Sequence, residues 1–342
     1  MGAATSGRIA AEIVEIATMH GSLEQRAQAL LEPLSSLLQC DAAWISLFDS
    51  DRHCQRTVAF RGYPERLRRH LNGAPFMAEL ELVGMDRARS PIRVKDCPVP
   101  VAELEVWAEY LQPAGFNEGV SLPLATTDGR YLGMLGSHTE AGVPASDETC
   151  DELERLGPLI AHAVDAMRTV SALTSLVGGA VAGIMLTRAG RVETLPGLPG
   201  DPLLAPGSPA LSVVAAALTG PRTQVTFLVP RDDVDDSLAR VTALTCPPQP
   251  PGHHRAVVLL SPPPDLHGLT RRELQVLGLL VDGCTNAAIA AALHISPRTT
   301  VGHIEHVMIK LGAASRTIAA LRAEREGLYI PAGITLGPAG RR

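Results

Sequence analysis

The sequence predicts an α+β multidomain chain that closes with an all-α unit of four short helices. Three observations carry that prediction. Residues 265–342 show helix caps at short intervals, with apolar side chains three and four apart. Residues 1–175 and 176–264 show short apolar runs bounded by turn residues and mixed with helical patterns, the pattern of helices packed on antiparallel strands. Composition also shifts twice, near residue 176 and at the proline run ending at residue 264, and a length of 342 residues suits two or three domains.

The N-terminal part opens with an amphipathic helical region over residues 8–39. Ile9, Ile13 and Ile16, then Leu30, Leu31, Leu34, Leu37 and Leu38, form its apolar side. Strands are predicted from Asp41 to Asp49 and from Thr57 to Gly62, followed by a short basic helix from Glu65 to Leu71. Residues 91–100 read as loop with a brief extended piece, and Glu103 to Leu111 as helix, stopped by Pro113-Ala114-Gly115. Gly119 to Ala125 and Tyr131 to His138 read as two strands about Asp128-Gly129, a pair that favours a hairpin turn. Ser146 or Asp147 caps a long helix predicted to run toward Val177.

That long helix carries a seam with alternating spacings of three and four: Leu153, Leu156, Ile160, Ala163, Met167, Val170, Thr174 and Val177. Two readings stand open. The seam pairs two protomers in a parallel coiled coil, with Leu153, Leu156, Ile160, Met167 and Val170 at the contact, or the helix lies on its own domain. Pro158 is expected to kink it.

The order helix, strands, inserted loops, hairpin and closing helix resembles a GAF sensor domain over residues 25–170. The residues that carry the resemblance are AAWISLF, the segment Gly115 to Ala125, the hairpin through Gly136 and the helix start Ser146-Asp147-Glu148. It implies an α+β sandwich that receives a small molecule or a partner; which residues would bind a ligand is not legible.

In residues 180–264, strands are predicted from Ala180 to Thr187 and, as its hairpin partner, from Gly190 to Leu195. A Pro/Gly-rich loop follows, then a helix from Ala210 to Leu218 and strands at Val225 to Val229, Ala239 to Thr245 and Arg255 to Leu260. The order resembles a small PAS-like α+β module. Ser261-Pro262-Pro263-Pro264 reads as a stiff hinge into the last unit.

The last unit is the most explicit. Thr270 and Glu273 form a capping box ahead of Leu274, Leu277 and Val281. Gly283 ends that helix, and Thr285 caps a second one carrying Ile289 and Leu293. After the turn His294-Ile295, Ser296 is an N-cap and Pro297 a first helical residue. The third helix puts Thr300, Ile304, Val307 and Leu311 on one face; Gly312 closes it, and Ser315 caps a fourth. Two short helices about a tight turn make a helix-turn-helix, whose second helix enters the DNA major groove. The outer face of that helix carries Arg298, Val301, Gly302, Glu305 and Ile309. Arg298 and Lys310 are placed to reach phosphates. Val301 offers an apolar contact to a thymine methyl, Glu305 an acceptor for cytosine N4, and Gly302 close approach of the backbone.

This stretch resembles the C-terminal DNA-binding domain of LuxR-type transcriptional regulators. The matching pieces are LTRRELQVL, Gly283-Cys284-Thr285-Asn286, Ile289-Ala290, Leu293 to Ser296, Thr299, His303, Lys310-Leu311-Gly312 and Ser315-Arg316. The resemblance adds Thr285, Asn286, Ser296, Thr299, Ser315 and Arg316 to the expected DNA-binding set, and gives His303 a structural hydrogen bond. The chain departs from the family at Thr300, where a buried Val is usual. Val301, Gly302 and Glu305 are uncharged or acidic where relatives often present Lys or Arg.

Composition bounds the rest. A hydrophobic share of 46% can bury cores, and a net charge of −6 does not forbid DNA binding, because the local field decides. Between Asp265 and Ile330, seven Arg and Lys face six Asp and Glu, so nonspecific affinity should be modest. Six scattered cysteines without a C-x-x-C argue for a reducing compartment and against a thiolate zinc site. The N-terminus lacks a signal pattern, because Glu12 and Glu15 interrupt it. Residues Thr169 to Thr187 are uncharged, but Gly178-Gly179 breaks them, and they read as a helix end followed by a strand. A cytoplasmic protein is expected.

No nucleophile elbow, P-loop, dinucleotide fingerprint or H-E-x-x-H is present, so catalytic and metal sites and cofactors are all expected to be absent. His53-Cys54 and His253-His254 read as ordinary surface or loop pairs. Lys95 is the sole lysine before Lys310, and no acidic pair accompanies it, which speaks against a phosphoreceiver domain.

The expected function is a sequence-specific DNA-binding transcription regulator, not an enzyme. The expected partners are double-stranded DNA in the major groove, a second copy of the chain, an effector at the GAF-like domain and RNA polymerase, with no membrane. Two alternatives stay open: a GAF-like cofactor- or thiol-dependent enzyme or sensor, and a dimeric protein-binding adaptor with a weak DNA reader.

Overall fold

The computed structural model describes residues 3–168, 170, 179–231 and 237–335. The chain divides into two compact units, Met1–Arg168 with Pro248–His253, and Thr169–Pro247 with His254–Arg342.

In the first unit the amphipathic N-terminal region is two helices, α1 (Ala3–Thr18) and α2 (Leu23–Leu38). The break falls at Ser22, whose hydroxyl accepts from the Gln25 amide at 3.2 Å while the Gln25 side chain accepts from the Ser22 amide at 2.8 Å. That reciprocal cap starts a new helix where apolar spacing alone reads straight through. Strands β1 (Ala42–Asp49), β2 (Cys54–Arg61), β3 (Ile92–Arg93), β4 (Glu118–Ala125) and β5 (Tyr131–Thr139) form one antiparallel sheet in the order β2-β1-β5-β4-β3. Strand alternation sorts the side chains. Ala43, Ile45 and Leu47, Val120, Leu122 and Leu124, and Leu135 pack with α1, α2 and α5 (Asp147–Val164) in one core. Trp44 and Met134 face the opposite side, under α3 (Glu65–Leu71) and α4 (Ala74–Val83). Helix α4 was not legible from apolar periodicity; its signals are Pro75 in the first turn and Gly84 in the left-handed region at its end. The helix expected from Glu103 is a π-helical turn over Val106–Leu111.

The long-helix expectation is corrected. Helix α5 begins at the Ser146 cap as predicted but stops at Val164, where Asp165 turns extended. Asp165 accepts from the Met167 amide at 2.9 Å and pairs with Arg130 at 2.8 Å, so its carboxylate ends one helix and caps the next turn. Arg26 donates to the freed carbonyl of Ala163 at 2.9 Å. Leu153, Leu156, Ile160 and Ala163 are fully spent in the core of their own unit, and Met167 and Val170 are buried as well. A free seam for a partner helix is therefore not what these side chains make. Thr174 and Val177 lie outside the described residues.

The second unit holds β6 (Ala182–Thr187), β7 (Val192–Thr194), α6 (Pro209–Ala217), β8 (Gln224–Pro230), β9 (Leu238–Thr245) and β10 (His254–Ser261). These are the strands and the helix the sequence predicts. The sheet order is β7-β6-β10-β9-β8, the same permutation as in the first sheet. Four helices follow: α7 (Arg271–Val281), α8 (Asn286–Leu293), α9 (Pro297–Lys310) and α10 (Arg316–Glu326), then the short α11 (Ala332–Thr335). The sequence places a domain boundary at residue 264, but sheet and helices share one continuous apolar core. Edge strand β8 donates from Leu228 N to the Tyr329 carbonyl at 2.8 Å, Ile330 N donates to the Leu274 carbonyl at 3.1 Å, and Arg222 pairs with Glu324 at 2.8 Å. The proline run thus connects two packed pieces and does not hold them apart. Among the described residues no helix is long and apolar enough to cross a membrane.

Candidate nucleic-acid interface

Helices α7 to α10 each start on the cap the sequence predicts. Thr270, Thr285, Ser296 and Ser315 accept from the amides of Glu273, Ala288, Thr299 and Ile318 at 3.2–3.3 Å or less. Such caps contribute about 1 kcal/mol each. Gly283 and Gly312 take left-handed backbones, and so does His294, which ends α8 and lets the chain turn into α9.

Helix α9 is amphipathic in the expected sense. Thr300, Ile304, Val307 and Leu311 are buried, and the Thr300 hydroxyl donates to the Ser296 carbonyl at 3.2 Å. That bond explains how a hydroxyl stands in a position that a Val would fill. Arg298, Thr299, Val301, Glu305 and Ile309 are exposed on the other side, with Gly302 half-exposed between them. A Cβ placed on Gly302 would meet nothing within 4 Å. Arg298, Val301 and Glu305 lie three and four residues apart, hence on one stripe.

The remaining site residues divide by what their side chains already hold. Arg298 makes no hydrogen bond or ion pair among the described residues. Arg316 is committed: it donates to the Asn286 side chain at 2.8 Å and to the Cys284 carbonyl at 2.5 Å, tying the starts of α10 and α8 together. Thr285, Ser296 and Ser315 spend their hydroxyls on caps, and the Thr299 hydroxyl lies 2.8 Å from that of Ser296. Lys310 donates to the Gly268 carbonyl and to Glu273, each at 2.8 Å. The sequence puts Lys310 within reach of phosphate, and the pair is not legible there because Glu273 lies 37 positions earlier.

Glu273 is nearly buried and serves two elements, the Thr270 cap and the end of α9. Burial pushes its carboxyl pKa up, but the bonds from Lys310 and Thr270 outweigh that and hold it below the ordinary carboxylate value. A carboxyl depressed in the folded state stabilises above its unfolded pKa, and that stabilisation is lost as pH falls through the folded value. Glu273→Gln is expected to lower stability at neutral pH by about 1–2 kcal/mol. It should also flatten the loss of stability that the wild-type chain shows below about pH 4.5. Denaturant titrations of both proteins across that range check it, and parallel curves would contradict the role of the pair.

A run of capped helices presenting one long, half-exposed helix after a tight turn defines the helix-turn-helix class of DNA readers. Comparison with known proteins agrees. Residues 267–323 match the family described as bacterial regulatory proteins, luxR family, and residues 22–164 match the GAF domain family. The chain thus carries a luxR-family helix-turn-helix domain at its C-terminal end and a GAF domain in its N-terminal half. Among curated relatives, the transcriptional regulatory protein DegU of Brevibacillus brevis is 40% identical over 62 residues, covering 18% of this chain and 26% of that protein. The uncharacterized transcriptional regulatory protein YhcZ of Bacillus subtilis is 47% identical over 60 residues, covering 18% of this chain and 28% of that protein. The chain therefore spans only about a quarter of the length of these relatives. Among solved structures, the GAF domain from a phosphoenolpyruvate-protein phosphotransferase of Coxiella burnetii is similar at 18% identity and a TM-score of 0.41, covering 50% of this chain and 99% of that one.

Proposed function

We propose that this chain is a sequence-specific DNA-binding transcription regulator of the cytoplasm, controlled by a small molecule or partner at its GAF domain. The observation that carries the reading is the exposed stripe of α9, in a luxR-family domain where Lys310, Arg316 and the capping hydroxyls are already engaged. Arg298 contacts phosphate beside the helix N-terminus, while Val301, Gly302 and Glu305 face base edges. Lys310 acts mainly through Glu273. Two readers on paired half-sites would bring two chains together, on a surface other than the buried α5 seam. The assigned role is binding, not catalysis.

Selection of bound fragments from random duplex DNA by the purified full chain tests this directly. Arg298→Ala is expected to weaken binding to all sequences alike and to make the salt slope of log K shallower by about one unit. Unchanged affinity across several salt concentrations would remove Arg298 from the interface.

Gly302→Ala separates reading from folding. Open space around Gly302 means alanine should stabilise the helix, by about 1 kcal/mol. The same methyl should weaken binding to the selected site by holding the helix off the bases. A variant that melts higher and binds DNA as the wild type does would show that this face does not enter the groove.

A further inference from the structure

The chemistry left unused by the reader lies in the first unit, on the sheet face away from α1, α2 and α5. There Trp44, Phe76, Trp107, Met134, Ser121 and His138 line a cavity of about 100 Å³. A cavity of about 150 Å³ lined by apolar groups takes one benzene ring. Here flexible Met85 and Met134 line the space and can yield to a ring of that size.

Polar groups in the walls lack a protein partner among the described residues, one nitrogen of the His138 ring and the Trp44 indole among them. The Nδ1 of His138 lies 2.7 Å from the Tyr63 hydroxyl. Burial pushes the His138 pKa down to about 4, so the ring is neutral, and raises Tyr63 well above its ordinary value, so the phenol keeps its proton. The phenol O–H has no other acceptor among the described residues, so it donates to Nδ1 and leaves the ring proton on Nε2. Neither that Nε2–H nor the indole N–H of Trp44 has a hydrogen-bond partner among the described residues. Gly119, cross-strand partner of His138, makes room for the imidazole edge: a Cβ there would lie 2.4 Å from Cδ2.

The charged groups of the wall are occupied. Arg93 donates to Asp96 and Asp147, each at 2.5 Å, and to the Ala145 carbonyl at 3.1 Å. Both carboxylate oxygens of Glu79 accept from the Val106 amide at 3.2 Å, at the start of the π-helical turn. A charged ligand would enter without a counterion and lose its hydration.

We infer that this cavity binds a compact, uncharged aromatic molecule carrying one hydrogen-bond acceptor, its ring among the tryptophans and Phe76 and its acceptor on the Nε2–H of His138. The inference deepens the proposed function, since it rests on the GAF domain as the input.

The chain has two tryptophans and both line the cavity, so intrinsic fluorescence reads this site. Benzamide, benzoate and benzamidine are nearly isosteric and differ in charge; toluene lacks the acceptor. In titrations of the full chain, benzamide is expected to bind at least about tenfold tighter than either charged analogue and about tenfold tighter than toluene. His138→Phe with an unchanged melting temperature should erase the advantage over toluene. Should that variant not fold, the four-probe series on the wild-type chain decides by itself. Benzoate or benzamidine binding as well as benzamide, toluene binding as well as benzamide, or no quenching by any of the four at millimolar concentration would overturn the assignment. Benzamide binding that leaves DNA affinity unchanged would overturn effector control and leave the cavity assignment standing. No binding, with DNA selection intact, would do the reverse.

Discussion

Ile160→Glu is expected to unfold the N-terminal unit, not to convert a dimer into monomers. On sequence alone Ile160 fits two readings, a helix lying on its own domain or a coiled-coil seam, where a charge would separate two protomers and leave each one folded. In the structure it is fully buried among the side chains of α1, α2 and the sheet. A carboxylate there sits in an apolar cluster, and it also removes the packing of a large apolar side chain. Together these cost about 4 kcal/mol or more, against a domain stability of about 5–15 kcal/mol. Circular dichroism and thermal melting check it together with sedimentation. A variant that melts like the wild type and sediments as a smaller species would restore the seam and contradict the packing of α5.

Gly278→Ala should be nearly as damaging, although alanine is the better helix former by about 1 kcal/mol. Gly278 lies inside α7, and a Cβ on it would stand 1.9 Å from the Ile330 carbonyl oxygen and 2.8 Å from its carbon. Backbone cannot rotate away as a side chain can. The segment it would strike is held on both sides, by Ile330 N to the Leu274 carbonyl and by Leu228 N to the Tyr329 carbonyl. Displacing it opens the joint between the helical reader and strand β8, at a cost of about 3 kcal/mol. The same substitution at Gly302, in open space, is expected to stabilise. Melting both variants side by side is the measurement, and a Gly278→Ala protein as stable as Gly302→Ala would mean that the tail is not seated on α7.

What the sequence determined by itself was local. The four caps of the C-terminal unit, the turn at His294, the buried face of α9 and most strands of both sheets depend on residues within a few positions of one another, and each was readable at that range. The luxR-family stretch is legible for the same reason: nearly all its signals are caps, turns and one periodic face. Tertiary structure decided everything that required distant residues to meet. Periodicity could not say whether Leu153, Leu156 and Ile160 faced a second chain or their own core, because an apolar stripe buries equally well against either. The Lys310–Glu273 pair and the seating of Tyr329 on β8 join segments dozens of positions apart. Trp44, Phe76, Trp107 and His138 look scattered along the chain. Trp44 and His138 meet because β1 and β5 pair with Trp44 opposite Gly136, two residues from His138 on the same face, while Phe76 and Trp107 come from α4 and the π-helical turn packed on that face; the hydrogen-bond register is a property of the folded sheet, not of either strand.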